Sequence, residues 1–415
     1  MTRSDTDFSR DRKLPLNTLV GLIINMPKRS LSIEIQEFFD SLGKGLQSST
    51  KGAFSLQRAK LRPLFFQVWN KWLVDNFYGQ YGKAVKRWRG FRIQAVDGST
   101  GYLFNNKEVI EYFGTWDNHN SSTPMARIMQ IHDILNDITV WGDIRPIKES
   151  EKAIIASQVP YLFEDSITLM DRGFPGFGLM YLMINEETPR NFIMRCRLGF
   201  NKEVQKFVRS RKSSKTIELA ATKESIAMLK DNGYKITPET TIKVRMVKIK
   251  LPTGETEILL TSLYSEKLFP ISDLKYLYGL RWGIETTYGK QKNQLQMEQF
   301  SGHRVLCIQQ DYQASLFVSN LQSMVEKQSK NYLHKINIRR KYRYKINRNV
   351  SWASLKFNIV RLFLQNNPEK ILLQLQKEFE RNIEPVRPGR QILRIKRTKR
   401  YSGKYQTFTN YKRAI

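Results

Sequence analysis

Tyr278-Gly279-Leu280-Arg281-Trp282-Gly283-Ile284-Glu285, with Lys292 after six further residues, is the stretch on which the reading of this chain turns. Tyr278, Arg281, Glu285 and Lys292 follow one another at offsets of three, four and seven residues. In a continuous helix, about 100° per residue brings all four within an arc of roughly 60°. A tyrosine, two cations and a carboxylate on one face make a poor apolar stripe. They suit a metal ion beside a phosphate. Taken alone, Arg281 and Glu285 could equally be a surface ion pair worth a few tenths of a kcal/mol, so the rest of the sequence has to decide.

Two acids upstream bear on the choice. Phe91-Arg92-Ile93-Gln94-Ala95-Val96 reads as a strand, and Asp97-Gly98 after it as the turn that closes it. Ser166-Ile167-Thr168-Leu169-Met170 is a short apolar strand that runs into Asp171-Arg172-Gly173-Phe174. Either aspartate alone is an ordinary turn residue. Two at strand ends, followed by a glutamate on a later helix, form a more specific pattern. Strand ends of one sheet bring carboxylates together, and a helix packed on that sheet supplies the third.

The order Asp97, Asp171, Glu285, with Tyr-x2-Arg-x3-Glu-x6-Lys around the glutamate, resembles the DDE transposases of bacterial insertion sequences. More narrowly, the chain resembles the insertion-sequence-four family, whose signature is that spacing, matched here in full by Tyr278, Arg281, Glu285 and Lys292. Val96-Asp97-Gly98-Ser99 is similar to the family's first acidic block and Met170-Asp171-Arg172-Gly173-Phe174 to its second. Phe300-Ser301-Gly302 and Val386-Arg387-Pro388-Gly389-Arg390 also fit. The resemblance spans roughly residues 45–415.

Composition agrees. The 415 residues suffice for two or more domains and a large core. A net charge of +31 and a pI near 10.0 imply a polyanionic partner, with nucleic acid the default. From Lys330 to the end there are 23 basic and 4 acidic residues, so this segment holds most of the excess. It is not simply a solvated tail. Leu355, Ile359, Leu362 and Phe363, then Ile371, Leu372, Leu375 and Phe379, recur at helical spacing. Arg394 to Arg400 is the stretch expected to lie extended along phosphates. Cys196 and Cys307, far apart, give no disulfide framework or zinc site, and Cys196 is expected to be buried in a strand. The N-terminus has no signal-peptide pattern. Leu19 to Met26 is apolar but shorter than the ~20 residues a membrane span needs.

The segmentation expected from sequence has four parts. Residues 1–88 read as helical and a candidate DNA-binding region, with helices at Ser32–Leu42 and Phe54–Leu61. Arg58, Lys60 and Arg62 fall near the second, a weak hint of a helix-turn-helix. The helically spaced Phe65, Phe66, Trp69 and Trp72 read as core rather than a base-stacking platform. Residues 89–198 and 272–330 read as a mixed α/β unit with strands at 91–96, 126–135 and 138–143, a helix at 149–158, and strands before Asp171 and at 192–198. Residues 199–271 read as a β-rich insertion, with a hairpin turn at Pro252-Thr253-Gly254-Glu255. Residues 331–415 form the basic C-terminal region.

The resemblance implies a ribonuclease-H-like catalytic core and a cut-and-paste transposase. Asp97, Asp171 and Glu285 would then bind two magnesium or manganese ions, Asp97 bridging both. Tyr278, Arg281 and Lys292 would contact DNA phosphates. Implied partners are the element's terminal inverted repeats and target DNA, gripped by a homodimer in a synaptic complex, in the cytoplasm of a bacterium and close to its nucleoid. Some relatives stack a tryptophan of the insertion on a flipped base. Residues 199–271 contain no tryptophan, and Tyr234, Tyr264 and Phe269 are the nearest substitutes. The alternatives are a stand-alone nuclease of the same sheet type and a domesticated DNA-binding protein without catalysis.

Overall fold

The computed structural model describes residues 1–387 apart from 11, 26–27, 119–120 and 252–253. Pro388-Gly389-Arg390, Arg394 to Arg400 and the first half of the 252–255 turn therefore lie outside the described residues. In chain order the elements are α1 (Leu16–Ile24), α2 (Leu31–Ser41), α3 (Lys51–Arg58), α4 (Leu64–Tyr81), β1 (Arg92–Tyr102), α5 (Lys107–Phe113), β2 (Thr115–Asn118), β3 (Ser121–Asp133), β4 (Ile138–Pro146), α6 (Glu151–Ala156), β5 (Ser166–Met170), α7 (Phe177–Asn185) and β6 (Asn191–Cys196). They continue as α8 (Lys202–Arg209), β7 (Ser214–Ala220), α9 (Lys223–Asp231), β8 (Thr241–Lys250), β9 (Thr256–Thr261), α10 (Ile271–Gly279), α11 (Trp282–Asn293), α12 (Val305–Gln328), α13 (Lys330–Arg339), β10 (Arg343–Ile346), α14 (Arg348–Leu364), α15 (Pro368–Arg381) and β11 (Ile383–Val386). Two compact units are interleaved along the chain. One comprises Tyr81–Thr100 and Arg127–Tyr288, the other Met1–Gln80, Gly101–Ala126 and Gly289–Ile415.

The first of these units is built on a mixed sheet. β4 pairs with β3, and the order then runs β3-β1-β5-β6-β9-β8-β7. β1, β5 and β6 are parallel, as crossover helices α6 and α7 require. The first five strands in chain order, leaving β2 aside, take the ribonuclease-H-like arrangement, the first strand lying between the second and the fourth. The fold class is the mixed α/β expected. Strand β5 is buried along its whole length because helices cover a parallel sheet on both faces. Val96, Met170, Met180, Phe192 and Met246 meet in one core.

Two expectations change. Asp97-Gly98 is not a turn, because β1 runs through it to Tyr102. Gly98 does not take a positive φ. Its lack of a side chain serves packing instead, since a Cβ there would stand 2.5 Å from the Glu151 carboxylate. Residues 199–271 do not stand apart as a β-rich module either. Helices α8 and α9 alternate with β7–β9, and β9 pairs antiparallel with β6 from Ile193↔Thr261 to Cys196↔Ile258, so the insertion extends the central sheet. The hairpin expected at its tip is supported by β8–β9 pairing up to Lys250↔Thr256.

The second unit is mainly helical. Leu19, Leu22 and Ile23 of α1, Phe38 of α2, Phe54 of α3, Phe66 of α4, Phe317 of α12, Leu355 and Ile359 of α14, and Leu375 and Phe379 of α15 share its core. The helical spacing read at 355–379 is therefore a stripe packed on this core, apart from Phe363, which is exposed. Trp69 stacks on Phe317 with ring centroids 4.0 Å apart, as expected of a core aromatic, whereas Trp72 is exposed. Arg58 corrects the helix-turn-helix hint. It is buried, pairs with Asp311 of α12 at 2.7 Å, and donates to Gln310, Ser301 and the Cys307 carbonyl. Ser301 of the Phe300-Ser301-Gly302 motif also donates to Asp311. A cation committed this fully inside its own unit has nothing left for a phosphate. No helix among the described residues is long and apolar enough to cross a membrane.

Candidate active site

The parallel register of β1 and β5 ends on Val96↔Met170, so the next residues along the two strands are Asp97 and Asp171. Neighbouring strands lie about 4.8 Å apart, which brings the two carboxylates to the same end of the sheet. Asp171 is fixed by its turn, its Oδ1 accepting from the Gly173 N–H at 2.6 Å. The Gly98 N–H donates to Asp97 Oδ1 at 2.9 Å. The third acid arrives on α11. Its helix is tied to β1 by Tyr288, three residues beyond Glu285, whose hydroxyl donates to the Asp97 carbonyl at 2.8 Å.

The four-residue signature is not one helix face. α10 ends at Gly279 and α11 starts at Trp282, with three-residue hydrogen bonds across the joint: Arg281 N–H to Tyr278 O at 3.1 Å and Ile284 N–H to Arg281 O at 3.1 Å. Gly279 and Gly283 flank this joint, and glycine is a poor helix former. Gly283 is also needed for space, because a Cβ there would come within 2.9 Å of Ile134. The tightened turn directs Arg281 inward among the acids. It is buried, donates from Nη2 to Glu285 Oε1 at 2.8 Å and lies 3.9 Å from Asp97 Oδ2. Lys292 continues on α11, its Nζ 3.4 Å from Glu298.

Electrostatics ties the group together. Burial pushes the Asp97 carboxyl up to about 7, and the charges of Asp171 and Glu285 add to the rise, while Arg281 and the Gly98 N–H oppose it. Burial works against the Arg281 charge, but Glu285, Tyr278 and Asp97 outweigh it and raise its pKa. Among the described residues the buried Tyr278 hydroxyl has no hydrogen-bond partner. Burial pushes it up to about 12 between Arg281 and Arg195 on one side of the charge balance and Glu257 and Asp171 on the other. Among the described residues no three His, Cys, Asp or Glu are close enough together to hold one metal ion. Asp97, Asp171 and Glu285 are all oxygen donors, the set that suits magnesium or manganese. Burial disfavours the Asp97 charge, and a cation bound there would offset that cost.

Residues 67–321 match the family model described as "Transposase DDE domain". The chain belongs to this DDE transposase family. The matched span contains Asp97, Asp171, Tyr278, Arg281, Glu285 and Lys292. Among solved structures, this transposase is similar to the "Cryo-EM structure of piggyBac transposase synaptic complex with hairpin DNA (SNHP)". The TM-score is 0.42 at 11% identity, over 92% of this chain and 74% of that one. No curated protein matches the transposase.

Sequence reasoning missed Arg195 and Tyr288. Arg195 follows Met194, the register partner of Met170, and pairs with Glu257 of β9 at 2.9 Å. Only the strand order puts it beside the acids. Tyr288 had a signal, its offset of three from Glu285, but its partner is a backbone carbonyl that sequence does not display. The suggested tryptophan substitutes are occupied. Tyr264 donates to the Lys243 carbonyl at 2.8 Å, Phe269 packs near Trp88 and Phe91, and Tyr234 meets Tyr181 edge-on.

Proposed function

We propose that this protein is a metal-dependent cut-and-paste DNA transposase of the insertion-sequence-four group, acting on the ends of its own element. The observation that carries the reading is the arrival of Asp97 and Asp171 at the same end of the parallel β1–β5 pair, with Arg281 3.9 Å from Asp97 and bonded to Glu285. In this reading Asp97, Asp171 and Glu285 would hold two magnesium or manganese ions. Bound there, such a pair supplies an activated water and stabilises the leaving 3′ oxygen.

The chain's own residues do the rest. Arg281 turns from Glu285 to a phosphate beside the cut, and the Tyr278 hydroxyl donates to a phosphate oxygen. Lys292 neutralises a neighbouring phosphate. Tyr288 holds α11 at a fixed distance from Asp97. The freed 3′-hydroxyl then attacks target DNA at the same acids. Two ends joined in one event call for two protein chains, each with duplex DNA, working in the bacterial cytoplasm.

The test is cleavage of a labelled duplex bearing the element's end, with magnesium, manganese or chelator, beside the Asp97→Ala protein. Metal-dependent nicking at the end, lost in the variant, is the expected result. Binding without cutting, indifferent to the substitution, replaces this reading with a DNA-binding protein that has no catalysis. Nicking with no preference for the end replaces it with a stand-alone nuclease.

A further inference from the structure

Residues 339–345 read Arg-Arg-Lys-Tyr-Arg-Tyr-Lys, five cations without an acid among them. They lead from the end of α13 into β10, in the unit that does not contain Asp97. The segment is held in place. Asn337 Nδ2 donates to the Tyr344 carbonyl at 3.1 Å, and the Tyr344 N–H donates back to Asn337 Oδ1 at 2.5 Å. β10 pairs with β11 from Arg343↔Val386 to Ile346↔Ile383, and Ile346 is buried beneath. Arg339, Arg340, Lys341, Arg343 and Lys345 are all exposed. Lys345 faces Glu384 at 3.0 Å. Among the described residues the other four have no acidic partner.

The aromatics decide what this patch takes. Single strands bind by stacking bases on open aromatic faces along a basic groove. Here the Arg340 guanidinium lies 4.5 Å from the Tyr344 ring centroid, and the Lys341 ammonium lies 5.7 Å from that of Tyr342. Both rings already carry a cation. What remains on offer is positive charge on a fixed turn. Residues 339–343 reach at most about 17 Å, a length of duplex axis with about ten phosphates, so each of the four cations can find one.

We propose that Arg339, Arg340, Lys341 and Arg343 form a second DNA contact that grips the phosphate backbone of duplex DNA without reading its sequence. The biological setting rests on the transposase reading above, but the test does not. The affinity of the full-length protein is measured against salt for a short duplex of arbitrary sequence and for one of its single strands. The variant carries Arg339→Gln, Arg340→Gln, Lys341→Gln and Arg343→Gln. Each lost phosphate contact lowers the slope of log affinity against log salt by about 0.9, so the duplex slope falls by about 3 to 4. A protein with Lys in place of the three arginines keeps the parent slope. If the fourfold variant does not fold, Arg343→Gln alone must lower the slope by about 1. An unchanged duplex slope overturns the proposal, and so does a greater loss for the single strand than for the duplex. Failure of the cleavage test with the patch result standing removes the transposase chemistry and keeps the DNA contact.

Discussion

Asp97 is buried at the end of a parallel strand pair with its carboxyl pushed up to about 7, and its ionisation therefore acts against the fold. A folded-state pKa above the unfolded one gives stability that is full below the unfolded value and is lost as pH rises through the folded one. In chelator, Asp97→Asn is expected to match the parent near pH 4. It should gain on the parent as pH rises towards about 7, with an upper bound of about 4 kcal/mol for a shift of this size. Urea unfolding at several pH values measures the difference, and a flat difference contradicts the assignment. Tyr288→Phe removes the hydroxyl that donates to the Asp97 carbonyl and, at 3.5 Å, to that of Ile128. The expected stability loss is about 1 kcal/mol, with a larger fall in cleavage rate than in DNA affinity, because the bond sets where Glu285 stands rather than what touches DNA. Glu285→Gln should abolish cleavage with little change in binding, and normal cutting by it would take Glu285 out of the site.

Elements explain which parts of this structure could be read in advance. The strands before Asp97 and Asp171 and the stripes of α14 and α15 follow from local apolar periodicity, which carries through to burial. The break between α10 and α11 was hidden because Arg281 and Glu285 are spaced for a helix whether or not it is continuous. The two glycines that flank the joint show their effect only once Ile134 is placed beside one of them. Gly283→Ala is expected to destabilise by about 1–3 kcal/mol through overpacking, part of it offset by better helix propensity. Gly79 in α4 has nothing within 4 Å of its missing Cβ among the described residues, so Gly79→Ala should stabilise by about 0.5–1 kcal/mol. Opposite signs in thermal unfolding would separate the two situations. Arg58 was misleading for a related reason: a cation on a helix looks like a DNA contact until α12 supplies Asp311. Asp311→Asn strands that buried charge and should cost about 3–5 kcal/mol.

On the scale of the whole molecule, charge was legible from composition and its destination was not. A balance of +31 predicts duplex binding that weakens steeply with salt, and that slope should be the same in the parent and in Glu285→Gln, since an acid in the site adds no phosphate contact. A variant slope steeper by several units would mean that the carboxylates repel DNA in the bound complex. The position of residues 199–271 was also invisible in the sequence, because alternating strands do not declare which neighbour they join. Their joining β6 through β9 has a practical outcome. Deleting the segment to make a smaller enzyme would strip the cover from Ile193 to Cys196 and leave a run of open N–H and C=O groups on a buried, apolar strand. Such a rim recruits other chains. The trimmed protein should leave solution as aggregate, so a minimal version has to keep β9 as a plug or put charge and proline on β6.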